Sequence, residues 1–216
     1  MDPREMRAPT GLHADRSLER ADLLDDPIEQ FGDWLSEAEG TGILLANAMT
    51  LATADADGRP SARHVLLRGI DQRGFAFYTN HDSRKGHQLA ENPHAALAFL
   101  WKELDRHVIS SGRVGRIGDE ESDAYFATRP REAQLGAWAS VQSAPIAGRE
   151  ALDVRLAEAS ERFEGADVPR PRWWGGYRLL PDEIEFWQGR EHRLHDRFRY
   201  TREDVGSAWL VERLSP

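Results

Sequence analysis

The densest group of chemically capable side chains lies near the C-terminal end, in the segment 184–200. This segment places Arg193, His195 and Arg197 after an apolar, strand-like run. Arginine donates charged hydrogen bonds from a planar fork, and histidine exchanges a proton near neutral pH. We therefore predict a site for an anionic or aromatic ligand here, and the alternative is a solvated turn between two strands.

Three further basic groups lie earlier in the chain, on a predicted strand, at a predicted helix start and at the end of another predicted helix. They are residues 63–68, residues 83–86, and Tyr125 with Arg129 and Arg131. Free backbone N–H groups at a helix start favour a phosphate, and the arginine fork suits the same anion. The groups favour phosphorylated small molecules as ligands, with plain surface charge as the alternative.

The composition of the 216 residues limits the possible chemistry. The chain has no cysteine, which excludes thiol catalysis, thiolate metal sites and disulfides, so any redox chemistry must come from a bound cofactor. A formal net charge of -9 argues against nucleic acid and anionic membrane surfaces as partners. No apolar run is long enough to cross a bilayer, and we predict a cytoplasmic protein that does not engage a membrane.

Two other kinds of site find less support in the residue pattern. A zinc site at His192 and His195 has no evident third ligand nearby, so no metal is predicted. Hydrolysis by Ser140 or Ser143 with His195 would need a nucleophile-elbow pattern, which the sequence around these serines does not have.

The elements that must position these residues follow from hydrophobic periodicity and turn signals. The Asp26-Pro27 pair predicts the start of an amphipathic helix that ends at Gly40, since Asp caps helices and Pro favours the first helical position. The predicted strands are 49–54, 62–70, 75–79, 95–101, 107–117, 174–180, 184–187, 198–201 and 208–213, and further predicted helices are 83–91, 119–128 and 149–163.

This order of elements predicts a mainly β (α+β) fold, a small antiparallel barrel with peripheral helices, because closure removes the exposed edges of a long meander. The absence of regular strand–helix alternation and of a Gly-rich phosphate loop argues against Rossmann and P-loop folds. Residues 1–22 show no hydrophobic period and are predicted to form a mobile N-terminal arm. Residues 23–216 are predicted to form a single domain.

Eight short motifs indicate a family relationship that composition and residue spacing alone do not show. They are Phe77–Asn80, Ser83–Lys85, Arg129–Arg131, Gln134–Trp138, Gln142–Ser143, Trp174–Gly176, Glu185–Gly189 and His192–Arg197. Through these motifs the sequence resembles the pyridoxamine 5'-phosphate oxidases, from the helix at Asp26 to Pro216. The resemblance implies an FMN-binding split β-barrel and a homodimer with two FMN molecules at the subunit interface, with the C-terminal dimerisation region inside residues 23–216.

The resemblance also implies a function and the residues that perform it. The implied reaction is FMN-dependent oxidation of pyridoxamine and pyridoxine 5'-phosphate to pyridoxal 5'-phosphate, with O2 as acceptor and hydrogen peroxide as product, in vitamin B6 biosynthesis and salvage. The implied FMN contacts are Arg63, His64, Val65, Leu66, Leu67, Arg68, Tyr78, Thr79, Arg84, Lys85, His107, Gln142, Ser143, Trp187 and Arg197. The implied substrate contacts are Arg68, Tyr125, Arg129, Ala133, Arg193, Leu194 and His195, of which Arg193 and His195 are implied to be catalytic.

Three site positions depart from the family pattern. Arg68 stands where a lysine is usual, His107 where a glutamine is usual, and Ala133 where a serine is usual. The lost hydroxyl at Ala133 predicts weaker phosphate binding by one hydrogen bond, about 0.5 to 1.5 kcal/mol. The family's Arg-Arg-Glu-Tyr segment would align with residues 10–13, which lack it, unless Arg4 to Arg7 take its place by a shifted alignment. Two alternatives therefore stay open: an FMN-dependent oxidase of a different substrate, of the phenazine-biosynthesis type, and a non-catalytic flavin or pyridoxal-phosphate binding protein.

Overall fold

The computed structural model describes residues 16–216, and within them nine strands and five α-helices. The strands are β1 (Ala48–Ala54), β2 (Pro60–Leu66), β3 (Gly69–Asp71), β4 (Gly74–Asn80), β5 (His94–Trp101), β6 (Arg106–Arg116), β7 (Trp174–Gln188), β8 (Asp196–Thr201) and β9 (Leu210–Leu214). The helices are α1 (Pro27–Gly40), α2 (Arg84–Glu91), α3 (Asp119–Ala127), α4 (Arg131–Ala139) and α5 (Arg149–Arg162).

All strand pairs are antiparallel, in the order β2-β1-β5-β6-β7-β4-β3, with β8 paired to β7 and β9 to β8. The two ends of this order, β2 and β3, are separated in the chain only by Leu67 and Arg68. The Leu67 N–H bonds to Asn47 beside β1, whereas the Arg68 N–H bonds to Ala76 in β4. A sheet whose ends are joined by two residues must curl on itself, so the predicted antiparallel barrel with peripheral helices is confirmed.

Two sequence-predicted strand boundaries are wrong, and both errors mark places where the sheet changes direction. The predicted strand 62–70 is two strands, because the chain crosses from β1 to β4 at Leu67 and Arg68. The predicted strands 174–180 and 184–187 are one strand, β7, in which Pro181 faces Gly112 of β6 beside a bulge where β7 carries one extra residue, Asp182. Pro lacks the N–H that a ladder requires, and here it stands where β7 exchanges β4 for β8 as its second neighbour.

The interior of the barrel is filled from α1, whose apolar face packs on the inner sides of the strands. Asp26 accepts a hydrogen bond from the Ile28 N–H at 2.8 Å, which confirms the predicted helix start. Phe31 is fully buried, with its ring centroid 4.9 Å from that of Phe75 and 4.7 Å from that of Phe99. Such edge-to-face aromatic contacts stabilise the core beyond the area they bury.

Part of the predicted arm 1–22 packs against the domain, and residues 1–15 of it lie outside the described residues. Leu18 is buried, its N–H donates to Asp196 at 3.1 Å, and its carbonyl accepts from Arg213 at 2.8 Å. Residues 16–22 are thus tied to the C-terminal strands.

A second, smaller apolar cluster lies between α3, α4, α5 and the start of β7. Its buried members are Phe126, Leu135, Ala159, Phe163, Val168 and Trp174. The sequence did not predict α4, because only Leu135 and Ala139 of that helix are buried and no full apolar stripe marks it. Among the described residues, none of the helices has the length and apolar character that a membrane crossing requires.

Candidate active site

A cleft of about 570 Å³ opens where β2, β4 and α2 meet the end of α3 and the loop after α4. It brings together most of the predicted cofactor and substrate residues from four separate parts of the chain. These are Arg63, His64, Val65, Leu66, Arg68, Tyr78, Thr79, Arg84, Lys85, Tyr125, Arg129, Gln142 and Ser143. Ser61, Ala62 and Trp174 also line the cleft and were not predicted as site residues.

One end of the cleft is built around Lys85, in the first turn of α2. Its Nζ donates to Thr79 Oγ1 at 2.9 Å, to Ser83 Oγ at 3.0 Å and to Gln142 Oε1 at 2.6 Å. Burial, together with repulsion from Arg63, lowers the pKa of Lys85 to about 8. All three acceptors are neutral, so the ammonium keeps its full charge for a ligand.

Arg63 lies at the same end and is also held by neutral groups. Its Nη1 donates to Thr53 Oγ1 at 2.6 Å, and its Nη2 donates to Gln88 Oε1 at 3.1 Å. Burial, and then the charge of Arg84, lowers the pKa of the Arg63 guanidinium. Three cations thus converge at the N-terminal end of α2, whose free N–H groups add to the positive potential.

The other end of the cleft is built around Arg129, just after α3. Its guanidinium carbon lies 4.5 Å from the Trp174 ring centroid and 5.4 Å from that of Phe126. Its Nη1 is buried and has no hydrogen-bond partner among residues 16–216. Burial lowers the pKa of Arg129, and the nearby charge of Arg68 lowers it further.

Two tyrosines connect the two ends. The rings of Tyr78 and Tyr125 stack with centroids 3.8 Å apart and an angle of 13° between their planes. Tyr78 comes from β4, next to Thr79 at the Lys85 end, whereas Tyr125 comes from α3, near Arg129. This ring contact therefore joins the side chains at the two ends of the cleft.

The charge of the cleft is one-sided. Among residues 16–216, five cations line it and no Asp or Glu does; the cations are Arg63, Arg68, Arg84, Lys85 and Arg129. None of the five forms an ion pair within residues 16–216, whereas Arg170 and Arg178 outside the cleft each bind two carboxylates. Lys85 is buried, Arg63 and Arg129 are half-buried, and Arg68 and Arg84 are exposed. A buried cation without a counter-ion is costly to fold, so the cleft is suited to a strongly anionic ligand.

A second group of predicted residues lies elsewhere, at the far end of β7. Trp187 contacts two imidazoles: it stacks on His107 at a centroid distance of 4.4 Å, and the His195 ring lies 4.4 Å away at a tilt of 38°. His195 Nδ1 accepts a hydrogen bond from the Arg190 N–H at 3.1 Å, so a neutral His195 carries its proton on Nε2. Burial, with repulsion from Arg193, lowers the pKa of His195 and favours this neutral form.

The loop that carries these groups is strained. His192 and Arg193 have φ angles of 57° and 63°, a left-handed conformation that is unfavourable for non-glycine residues and often marks a functional loop. Arg197 differs from the cleft cations, since Glu185 binds it at 2.7 and 3.0 Å. Leu194 projects into solvent.

The two groups do not meet within one chain. Trp174 lines the cleft at the start of β7, and Trp187 belongs to the second group near its end. Thirteen residues of strand span roughly 40 Å, more than one small ligand can bridge. Of the remaining predicted residues, Leu67 is buried in the barrel core and Ala133 is half-buried in the first turn of α4, and neither lines the cleft.

The alternative chemistries gain no geometric support from residues 16–216. No group of three or more His, Asp or Glu side chains is placed to hold a metal ion with His192 and His195. Ser143 lines the cleft, but it makes no hydrogen bond to His195, whose recorded ring nitrogen contact is the Arg190 N–H.

Comparisons with known proteins identify the fold and the family. Residues 35–163 match the family described as pyridoxamine 5'-phosphate oxidase, and residues 174–216 match the pyridoxine 5'-phosphate oxidase C-terminal dimerisation region. A pyridoxine/pyridoxamine 5'-phosphate oxidase of Rubrobacter xylanophilus is 58% identical over 206 residues, which cover 93% of this chain and 94% of that protein. One of Burkholderia cenocepacia is 55% identical over 201 residues, covering 93% and 94%.

Solved structures agree. The crystal structure of PhzG from Burkholderia lata 383 in complex with tetrahydrophenazine-1-carboxylic acid has a TM-score of 0.86 at 35% identity, covering 93% of this chain and 98% of that chain. An FMN binding protein from Nostoc punctiforme related to pyridoxamine 5'-phosphate oxidases has a TM-score of 0.69 at 18% identity, covering 87% and 96%, which shows the shared fold. The predicted split β-barrel is confirmed, and the chain belongs to the pyridoxamine 5'-phosphate oxidase family.

Proposed function

We propose that the protein oxidises pyridoxamine and pyridoxine 5'-phosphate to pyridoxal 5'-phosphate, with FMN as cofactor and O2 as acceptor, in vitamin B6 biosynthesis and salvage. The observation that carries this proposal is the cleft, which five cations and no carboxylate line within the part of the chain that the structure describes. Its charges are divided between two ends, which suits two phosphate groups, one on the cofactor and one on the substrate. The cytoplasmic location stays a prediction from the sequence.

The Lys85 end fits the phosphate of FMN. Lys85, Arg63 and Arg84 bring three positive charges to the start of α2, and Thr79 and Ser143 add hydroxyl groups. Lys85 Nζ donates a hydrogen bond to the neutral amide oxygen of Gln142 at 2.6 Å. An anionic phosphate oxygen is a stronger acceptor, so it would displace this amide without leaving a charge unpaired.

The Arg129 end fits the phosphate of the substrate. The unpartnered Nη1 of Arg129 supplies a donor, and Arg68 and Tyr125 line the same part of the cleft. Arg68 keeps the positive charge expected there and presents it as a planar fork. Ala133 supplies no hydroxyl and does not line the cleft, so substrate phosphate binding depends on these three side chains.

A second copy of the chain would complete the site. The match to a dimerisation region over residues 174–216 supports this homodimer, and so do Leu100 and Ile109, which are 69% and 38% exposed on the outward face of β5 and β6. In such a dimer, the partner subunit's Arg193 and the partner subunit's His195 would reach the cleft. His195 Nε2 is the ring atom free to hold or release a proton there, because Nδ1 is engaged.

The chemistry that FMN would supply when bound is acceptance of a hydride from the exocyclic C4' carbon of the substrate, with O2 then taking the electrons and forming hydrogen peroxide. With the amine substrate, water supplies the aldehyde oxygen and ammonia leaves. The protein side chains hold both phosphates, orient the C4' carbon and provide a hydrogen-bonding group beside it.

An anaerobic absorption spectrum tests the proposal. The FMN-loaded protein is titrated with pyridoxamine 5'-phosphate without oxygen and is then exposed to air. We expect the yellow flavin absorbance to bleach on addition and to recover in air, with hydrogen peroxide formed in step with pyridoxal 5'-phosphate. If the protein stays yellow, its substrate is a different compound. If it binds FMN and forms no hydrogen peroxide in air, it is a binding protein and not an oxidase.

The second candidate is oxidation of a dihydro-aromatic compound of the phenazine type. It is favoured by the TM-score of 0.86 with PhzG, whose solved structure holds tetrahydrophenazine-1-carboxylic acid. A carboxylate carries one negative charge and would leave Arg68 and Arg129 only partly neutralised. Comparison of turnover on that compound and on pyridoxamine 5'-phosphate decides between the two candidates.

A further inference from the structure

Trp174 is the aromatic residue of the cleft to which nothing above assigns a role. We propose that Trp174 is a positioning residue that holds the Arg129 guanidinium toward the cleft and so sets the preference for phosphorylated over unphosphorylated substrates. This inference rests on the proposed function, in which Arg129 binds the substrate phosphate.

Contacts with aromatic rings hold the Arg129 guanidinium. No carboxylate pairs with it within the described residues, and its buried Nη1 has no hydrogen-bond partner. Its recorded close contacts are the faces of two aromatic rings, and Trp174 is the nearer at 4.5 Å. The indole face attracts a cation more strongly than a phenyl ring does. Arg68 adds repulsion, because its charge lowers the pKa of Arg129. The orientation of this guanidinium therefore depends on Trp174.

Trp174 can perform this role because it is itself fixed on several sides. Its carbonyl accepts from Arg170 Nη1 at 2.6 Å, and Arg170 also binds Asp119 at 2.7 Å and Asp123 at 2.5 Å in α3. Its ring meets the edge of Phe126 at a centroid distance of 5.1 Å. The ion pairs anchor the backbone, and the ring contact restricts the side chain.

The ring is also aligned with the two stacked tyrosines. The Trp174 plane makes an angle of 3° with Tyr125 and 14° with Tyr78. The next residue, Gly175, has no room for a side chain, since a Cβ there would lie 2.8 Å from His81 Cε1. Trp174 thus joins a rigid strand start to the phosphate end of the cleft. A pre-oriented cation binds an anion more tightly than one that must first be ordered.

The test compares the affinity of FMN-loaded protein for two ligands that have no oxidisable group at C4', 4'-deoxypyridoxine 5'-phosphate and 4'-deoxypyridoxine, by calorimetric titration. In Trp174→Leu we expect binding of the phosphorylated ligand to weaken about tenfold. Binding of the unphosphorylated ligand should change less than about twofold. Trp174→Phe keeps an aromatic face and should lose about threefold for the phosphorylated ligand. The ratio of the two affinities cancels any shared effect of folding or cofactor loading.

Trp138→Leu is the matched control. Trp138 packs in the same cluster and lies over another arginine, Arg162, at 4.6 Å, but it does not line the cleft. We expect it to leave the affinity ratio unchanged. In an Arg129→Ala background, Trp174→Leu should add less than about twofold, since the residue acts through Arg129.

Three results would overturn the inference: an unchanged ratio in Trp174→Leu, an equal loss for both ligands, or the same change in Trp138→Leu. If Trp174→Leu does not fold, an unchanged ratio in Trp174→Phe decides against it. Failure of the wild-type protein to oxidise pyridoxamine 5'-phosphate would contradict the proposed function and not these binding ratios, so the two failures are distinguishable.

Discussion

Arg129 is the residue whose contacts most directly predict a kinetic effect. Its buried Nη1 has no partner until an anion binds. Arg129→Ala should raise KM for pyridoxamine 5'-phosphate about thirtyfold, because a hydrogen bond to a charged group contributes about 1.5 to 3 kcal/mol. We expect kcat to change far less. Steady-state kinetics at fixed O2 measures both constants.

The control for this change lies two residues further along. Arg131 donates to the carbonyls of Ala166 at 2.8 Å and Phe163 at 2.6 Å, and it does not line the cleft. Arg131→Ala should lower stability and leave KM unchanged. A rise in KM in Arg131→Ala equal to that in Arg129→Ala would show that the substrate phosphate binds elsewhere.

Lys85 predicts how FMN affinity depends on pH. Its pKa is lowered to about 8 in the protein without ligand. The ammonium form binds the phosphate dianion, which predominates above about pH 6, so affinity should be highest between about pH 6 and pH 8. Above pH 8 it should fall by up to about tenfold per unit as Lys85 loses its proton. Quenching of flavin fluorescence between pH 7 and pH 9 measures the dissociation constant.

Lys85→Arg separates this group from other titrations. Arginine stays protonated across the whole range, so the variant should bind FMN with little pH dependence. If Lys85→Arg shows the same fall above pH 8 as the wild type, another group is responsible.

Trp174 shows what residue types alone could and could not predict. Arginine and lysine clusters predicted most of the cleft, because a cluster of basic side chains indicates an anion-binding site whatever element carries it. An aromatic residue at a strand start is usually a core residue, and Trp174 is indeed mostly buried. Its second role is to present its ring face to Arg129. This contact depends on the packing of α3 against β7, which no local sequence pattern predicts.

At the scale of elements, the bulge between β6 and β7 positions the site by allowing β7 to have different neighbours at its two ends. A Cβ on Gly112 would overlap the Leu180 carbonyl oxygen and approach Pro181 Cα at 2.9 Å. Gly112→Ala should lower the free energy of unfolding by about 3 kcal/mol, because neither backbone can move without breaking the ladder. The shift in the urea midpoint measures this loss.

Gly115 provides the comparison within the same strand. A Cβ there meets nothing within 4 Å, so Gly115→Ala should change stability by less than about 0.5 kcal/mol. Equal losses in the two variants would mean that β6 is sensitive to any side chain and not to the bulge.

The same bulge explains which parts of the fold the sequence could not predict. Turn signals and alternation located most strands, and capping located α1 and α2. The predicted strands 174–180 and 184–187 left a break around Pro181, yet the ladder continues past it because the Pro stands where β7 changes neighbours. The distance between Trp174 and Trp187 depends on that continuity. The resemblance assigned both groups to FMN sites at a subunit interface, each built from both chains, and the single chain places the two groups at opposite ends of β7.

At the scale of the whole molecule, this separation predicts that each site takes residues from two subunits. Mixing two defective variants tests that prediction. In Arg129→Ala the cleft is damaged, and in Arg193→Ala the second group is damaged. If each site takes Arg129 from one subunit and Arg193 from the other, a mixed dimer has one site with both residues intact and one site with neither. If both residues came from the same subunit, every site in the mixed dimer would lack one of them.

Equal amounts of the two variants, exchanged by unfolding and refolding together, should give mixed dimers as about half of the population. With one intact site in two, kcat/KM for pyridoxamine 5'-phosphate should recover to about one quarter of the wild-type value. Each variant refolded alone controls for the procedure, and size-exclusion chromatography confirms that dimers form. Dimers that recover no activity on mixing would place Arg129 and Arg193 in the same subunit's site, and would require the loop after β7 to reach the cleft of its own chain.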